Sequence, residues 1–495
     1  MKRTLLRMLT AVLLFSPVAW PQDDADNDTG RGVARVSLMN GDVSVRRGDS
    51  GDWVAAAINA PLVVYDHLLT GPTARAEIQF DYAHFLRLSS DTEVRLAEVD
   101  SNHFQIELSR GTVTLSVVRD PQAQMEVNTP NVSVRPTGRG MYRISVTDEG
   151  ESQVTVRSGD ADASTPRGSQ RVSAGETMLV RGTPEEAEFQ MVSAIGRDNW
   201  DRWNDDRDHR LEGTQSYKYV SPDVYGADDL DSYGRWVYVA PYGWVWSPNG
   251  VAADWAPYRA GRWSWLDWYG WTWVDYEPWG WAPYHYGRWF NQAGYGWCWF
   301  PGGFHERHFW HPALVAFFGF GGFGAGFGSV GWVPLAPFEP YHAWYGRGYY
   351  GYRNTTVINN IHIVNNTNIT SMYRNARVAN GVTGLDAGAF ARGGRGVMIH
   401  TKDVNLQRAS LVRGPVPVAP GAESLRLSGR AVAVTSQRSM QTSQFYSLRR
   451  APAVERIPFS AQRQGAEQYA QRAVSSPAVR QQPPATGSSG WRRGW

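Results

Sequence analysis

The sequence predicts a mainly β protein of several units. It places an N-terminal all-β domain over 32–182, a linking helix over 184–213, an aromatic β-hairpin repeat domain over 216–370 and a largely disordered basic tail over 371–495. Three observations carry that reading. Short alternating apolar runs recur through the first third, a Trp-rich unit repeats in the middle, and the composition shifts to Arg, Gln, Ser, Ala and Pro towards the end. A length of 495 residues asks for roughly two to four domains. With 42% hydrophobic and 19% charged residues, the chain is neither a polytopic membrane protein nor wholly disordered. Its 23 Trp, 23 Tyr and 51 Gly favour strands and tight turns over helices.

Residues 1–22 read as a signal peptide. Lys2, Arg3 and Arg7 precede the apolar stretch Leu9 to Phe15, and Asp23, Asp24, Asp26 and Asp28 follow. The apolar stretch is far shorter than the roughly 20 residues of a spanning helix, so no transmembrane span is expected in the mature chain. The expected location is periplasmic or secreted. The lone Cys298 excludes an intramolecular disulfide and a cysteine-built zinc site, so the exported domains must rely on buried apolar area.

From Val33 to Val180, runs such as Ala76 to Phe80 and Glu93 to Leu96 alternate apolar and polar residues, as half-buried strands do. Further runs, Phe104 to Leu108, Val113 to Val117, Val132 to Val134, Tyr142 to Val146 and Val154 to Val156, follow about every ten residues with turn signals between them, the cadence of a sandwich, barrel or stacked-strand unit. The stretches Leu62 to Gly71, Val127 to Pro130 and Gly138 to Val146 resemble the FecR domain of bacterial envelope proteins. Tyr65 stands where many members have Gly before the Asp, here Asp66. The cytosolic segment and spanning helix by which FecR proper contacts a sigma factor are not found, so the resemblance implies the fold without the signalling role.

Between Pro184 and Gly213, Phe189, Trp200, Trp203 and Leu211 stand among charged residues at roughly helical spacing. This segment reads as a helix docked on one of the β units, with partner binding as the alternative.

The repeat is the strongest signal. Gly234-Arg235-Trp236 leads to Tyr242-Gly243-Trp244-Val245-Trp246, Gly261-Arg262-Trp263 to Tyr269-Gly270-Trp271-Thr272-Trp273, and Gly287-Arg288-Trp289 to Tyr295-Gly296-Trp297-Cys298-Trp299. Each unit is the length of one hairpin, with Gly243, Gly270 and Gly296 supplying a positive φ at the turn. A five-residue loop pairs Trp236 with Trp246 and Tyr238 with Trp244, and by the same rule Trp263 with Trp273 and Trp265 with Trp271, which puts the rings of each hairpin on one face. Three such hairpins in series suggest a meander or small barrel. The aromatic face is either core or an exposed platform. In the second case Trp236, Trp244, Trp246, Trp263, Trp271, Trp273, Trp289, Trp297 and Trp299 stack on planar or sugar-like surfaces, and Arg235, Arg262 and Arg288 beside them donate hydrogen bonds or make cation-π contacts. Tyr219 to Pro222, Leu230 to Gly234, the three repeats, Pro312 to Phe317 and Gly331 to Pro337 resemble an uncharacterised Trp/Tyr-rich family of secreted bacterial proteins, a likeness that implies architecture and location but no chemistry.

Pro312 to Phe338 carries no charge, yet its many glycines argue against a membrane helix and for an aromatic-glycine loop between strands. Asn354 to Thr370 reads as an edge strand or stacked strand pair. From Arg353 onward the chain carries a net +14 and the remainder −12. A helix is expected within the tail around Ser460 to Val474, and the tail itself reads as a solvated linker folding back on the acidic part, or as a contact for anionic envelope polymer or lipid. Nucleic acid is not an expected partner of an exported chain.

Reactive constellations are weak. Gly48-Asp49-Ser50-Gly51 imitates a serine-protease nucleophile loop but lacks triad partners. His305, His308 and His311 lack the spacing of helical zinc ligands. Asp228, Asp229 and Asp231 lack a full calcium loop, and Cys298 between two Trp reads as a packed residue. The expectation is a non-catalytic envelope protein without cofactor or metal, binding a glycan, another envelope polymer or an envelope protein. The alternatives are a structural or assembly factor with buried aromatics and a signalling component related to FecR.

Overall fold

The computed structural model describes residues 31–183, 186–320, 327–346, 363–394, 396–398, 406–436 and 444–475. The expected signal segment lies outside these residues, as do 321–326 of the glycine-rich stretch. The chain is mainly β.

In the N-terminal unit the expected runs become strands, with one merger. Phe104 to Leu108 and Val113 to Val117 form a single strand, His103–Val117. Its first half pairs antiparallel with Glu93–Val99 and parallel with Gln124–Asn128, its second half antiparallel with His84–Leu88 and Gly140–Val146. The strand therefore belongs to both layers, and it bends at Gly111, where φ is +87° and a Cβ would lie within 2.4 Å of the Thr92 hydroxyl. Val36, Val45, Leu62, Ile78, Leu86, Ile106, Leu115 and Ile144 fill the space between the layers.

The linking segment begins with a strand, Glu188–Ser193, and only then turns helical over Asn199–Glu212, so the helix expected from 184 starts later. Asp198 and Asp201 form a capping box at its start, and Gly213 ends it. Leu211 packs on Phe85 and Val118, Trp200 Nε1 donates to Thr114 Oγ1 at 2.9 Å, and Arg75 lies 4.6 Å over the Trp203 ring, but much of the docking is ionic. Arg87 Nε and Arg207 Nη2 each donate at 2.8 Å to the buried Glu77 carboxylate. Burial opposes the charge on Glu77, but the two guanidinium groups outweigh it and hold the carboxyl well below its usual range.

The three repeats form the hairpins Gly234–Val239/Gly243–Pro248, Gly261–Leu266/Gly270–Asp275 and Arg288–Gln292/Gly296–Phe300. Their register pairs Trp236 with Trp246, Trp263 with Trp273 and Trp289 with Trp299. The turn glycines Gly243, Gly270 and Gly296 have φ of +84°, +63° and +74°. The Gly of each Gly-Arg-Trp has a separate reason. A Cβ at Gly234, Gly261 or Gly287 would come within 2.3, 2.7 and 2.7 Å of the indole of Trp246, Trp273 and Trp299 respectively.

The hairpins do not follow one another as a meander. The first and third join edge to edge through Trp246 and Trp299 in a four-stranded sheet, while the second is a separate two-stranded ribbon. The glycine-rich stretch is itself mostly paired, as Val315–Phe320 with Ser329–Pro334. Around this pair a six-stranded sheet adds Ile363–Thr367 at one edge, as expected of an edge strand, together with Ala409–Val412, Thr383–Asp386 and Val397–Met398. Three of those strands lie beyond 370, so the boundary placed there is corrected. Apolar residues such as Leu385, Leu411 and Val412 are spaced too sparsely to be read as strands from sequence, and a sheet edge supplies their partners.

Residues 444–458 then return across the N-terminal unit, with Tyr446 N donating to Thr129 O at 3.0 Å and Gln105 Nε2 to Arg449 O at 2.7 Å. The expected tail helix forms over Phe459–Ser475 and packs on the second hairpin. The basic tail thus meets the acidic first half. Among the described residues, no helix is long and apolar enough to cross a membrane.

Candidate functional site

Alternation along each hairpin puts the Trp residues on one face, and what covers that face differs from repeat to repeat. In the second hairpin Trp263, Trp265, Trp271 and Trp273 are fully buried. Phe317, Trp332 and Phe390 pack around Trp263, and the indole N–H groups of Trp265 and Trp271 donate to Gln462 Oε1 at 2.8 Å and Val418 O at 3.3 Å. In the third, Trp289, Trp297 and Trp299 are buried, with Trp289 and Trp299 donating to the carbonyls of Pro283 and Tyr286 at 2.8 Å. For these rings and for Trp246, the expectation of an exposed platform is corrected. Stacking area that large is worth more against other rings than against water; for the second hairpin the chain after residue 312 supplies much of the cover, and for Trp246 and Trp289 it comes from Trp279 and its neighbours.

The first hairpin is the exception. Trp246, at its base, is buried and donates to Leu230 O at 3.1 Å. Towards the turn the face opens. Trp236 is half-buried, Trp244 is 46% exposed and Tyr238 66% exposed. Tyr219, carried in by the short helical turn Ser216–Lys218, stacks on Trp236 at 4.8 Å and 25° and lies 4.9 Å from Trp244, whose ring meets Tyr238 edge-on at 5.8 Å. Trp236 is held in place by a 3.0 Å hydrogen bond from Nε1 to Ser216 Oγ, which in turn donates to Asp231 at 2.5 Å. The Trp244 indole N–H has no hydrogen-bond acceptor among the described residues. Four rings thus form a positioned, partly exposed aromatic surface with a free donor at its rim, suited to stacking on a flat or sugar-like face.

The arginines do not stand beside the rings. Arg235 points to the opposite face, 5.9 Å over the Tyr295 ring. Arg262 is buried and donates to the carbonyls of Ser428 at 3.0 Å and Glu423 at 2.8 Å, tying the C-terminal chain to the second hairpin. Arg288 is half-buried and donates to Gly287 O. The strand period explains this, because the residue before an inward Trp must point outward. Tyr219 and Tyr238 complete the surface and were missing from the expected set. Tyr238 was legible from its pairing with Trp244, whereas Tyr219 reaches the sheet only through the chain's tertiary path.

The other candidates are occupied structurally. Asp228 accepts from Arg119 at 2.8 Å and Gln79 at 2.9 Å, and Asp229 pairs with Arg35 at 2.7 Å, joining the repeat unit to the N-terminal unit. His308 Nε2 contacts Gly303 O and His311 Nδ1 contacts Tyr345 Oη, while His305 stays exposed. Burial pushes the Cys298 thiol up to about 11, as befits a packed residue. Asp49, in the loop that imitates a nucleophile turn, is buried near Arg47.

Fold and site together define a FecR-like β unit joined to an aromatic hairpin unit. Residues 66–162 match the FecR protein family and residues 227–339 match a family of unknown function (DUF6600). No curated protein matches the chain. Two crystal structures of a candidate anti-sigma factor from Parabacteroides distasonis ATCC 8503 align with 26% of this chain and 59% of that one. Their identities are 19% and 18% and the TM-score is 0.23, too slight a likeness to carry an argument.

Proposed function

We propose that this protein is a non-catalytic component of the bacterial cell envelope that binds an envelope polymer, a glycan foremost, through the exposed end of its first repeat hairpin. The observation that carries the reading is the pair Tyr238 and Trp244. These rings stay open on a rigid hairpin while their counterparts Trp265 and Trp271, in the same register, are wholly covered. Exposed aromatic area of this kind on a positioned surface marks an interaction site. The FecR match supports an envelope location. The structural engagement of Asp228, Asp229, His308, His311 and Cys298 supports a binding role over catalysis.

Cosedimentation of the full chain with insoluble cell-wall polysaccharide tests this. The parent should pellet with the polymer and Trp244→Ala/Tyr238→Ala should stay in solution. Equal pelleting of both, or none by either, ends the glycan reading. The FecR match also favours a second reading, in which the same rings receive an envelope protein in a signalling assembly. Retained capture of one specific envelope protein, lost with the same double substitution, would select it.

A further inference from the structure

The N-terminal unit contains a second feature, unrelated to the aromatic surface. The loop after Val43–Arg46, the start of His67–Thr70, the strand Glu93–Val99 and the returning C-terminal segment enclose a cleft of about 240 Å³. Arg46, Arg47, His67, Arg95, Arg456 and Tyr65 line it, with no carboxylate in the wall.

The local charge balance is uneven. Arg95 Nη1 donates to Glu107 Oε2 at 2.7 Å. Arg47 lies 3.6 Å from Asp49, and its Nε and Nη1 make no hydrogen bond although the side chain is almost fully buried. His67 Nδ1, also buried, faces Glu93 at 3.8 Å without a hydrogen bond. Asp66 accepts from Gly48 N at 2.7 Å and Val63 N at 3.0 Å and also faces the Arg47 charge. Arg46 donates only to Gly51 O, at 3.2 Å, and neither Arg46 nor Arg456 has a carboxylate partner among the described residues. Arg47 and Arg95 thus face carboxylates, while Arg46 and Arg456 bring positive charge to the void without a carboxylate partner among the described residues, which favours an anion there.

Tyr65 sharpens the case. It adopts a left-handed backbone with φ of +71°, a conformation that strains an aromatic residue. The guanidinium groups of Arg95 and Arg456 lie 5.3 Å and 5.7 Å from the centroid of its ring, and its hydroxyl accepts from Val454 N at 3.2 Å. A glycine would relieve the strain but remove the wall that holds both arginines and the returning chain.

We propose that this cleft binds a phosphate group, carried by a small phosphorylated compound or a phospholipid headgroup, through Arg46, Arg95 and Arg456. Guanidinium forks arriving from three chain segments suit a tetrahedral group with several acceptor oxygens better than a planar carboxylate with two. A cleft of about 240 Å³ admits a phosphate ester and little more.

Calorimetric titration of the full chain with inorganic phosphate and with glycerol phosphate, together with flotation on phosphatidylglycerol vesicles, tests the proposal. The expected result is saturable binding with one site per chain, weakened tenfold or more in Arg46→Gln/Arg456→Gln while the thermal midpoint without ligand is unchanged. Glycerol phosphate binding without flotation identifies a soluble ligand. Flotation that glycerol phosphate displaces identifies a headgroup. If the double variant does not fold, Arg456→Gln alone, at an exposed position, must show the weakening. Absence of saturable binding with all three probes, or equal affinity in the variants, overturns the proposal.

Discussion

The first and second hairpins share a Gly-Arg-Trp opening, a Tyr-Gly turn and a cross-strand ring register, yet one ends in solvent and the other in the middle of the core. The difference lies outside both. The second hairpin lies under the Val315–Phe320 sheet, the segment 416–428 and the helix Phe459–Ser475, which supply Phe317, Val418 and Gln462 to its rings. The turn end of the first hairpin is met by Tyr219 from its own approach segment, which leaves Tyr238 and Trp244 open. Identical local chemistry therefore builds a core in one place and a surface in another, and the covering chain decides which.

Substitutions at matched positions test that contrast most sharply. Trp265→Ala opens a cavity in a closed aromatic core and should cost about 3–5 kcal/mol in chemical denaturation, whereas Tyr238→Ala at the equivalent position of the first hairpin should cost under about 1 kcal/mol. Similar losses at the two sites would erase the distinction. Next in size is a pH effect beneath the hairpins. His285 is buried against Trp281 and Trp310, and burial lowers its pKa to about 3. The folded state therefore refuses a proton that the unfolded chain accepts. The stability from this group is complete above the ordinary value near 6.5 and is lost as pH falls towards 3, at about 1.4 kcal/mol per pH unit. His285→Gln should remove that share of the slope between pH 6 and 4 in urea-unfolding midpoints, and an unchanged slope would refute the burial argument.

Gln462→Leu takes the acceptor from the Trp265 indole and should cost about 1–3 kcal/mol, with no effect on quenching of Trp244. If it instead leaves stability untouched, the tail helix is not what closes the second hairpin. The smallest expected effect on stability belongs to Trp244→Ala. It should shift the unfolding free energy by less than about 1 kcal/mol while lowering the iodide-quenchable share of the Trp emission.

Several structural features could be read in advance. The strands Arg75–Gln79, Gly140–Val146 and Ser152–Ser158 follow from alternation alone, and the hairpin register follows from parity and the turn glycines. The pairing of the first hairpin with the third was not legible, because an edge contact such as Trp246 with Trp299 leaves no periodic trace in either segment. The docking of the linking helix was only half legible. Leu211 lies on its apolar stripe, but much of the contact is ionic, as where Arg207 joins Arg87 on the buried Glu77 from 130 residues away, and such residues look like solvated charges in the sequence. The arginine cleft was invisible for the same reason, since Arg46, Arg95 and Arg456 come from three distant segments.

By itself, then, the amino-acid order determined which residues form strands, which rings share a side of each hairpin and where the backbone must turn, because alternation and glycine conformations act over a few neighbours. Tertiary structure alone decided which of those rings meet water and which charges meet one another. Burial depends on distant chain segments, as where Gln462 reaches Trp265 from 197 residues away, and no local period records their arrival.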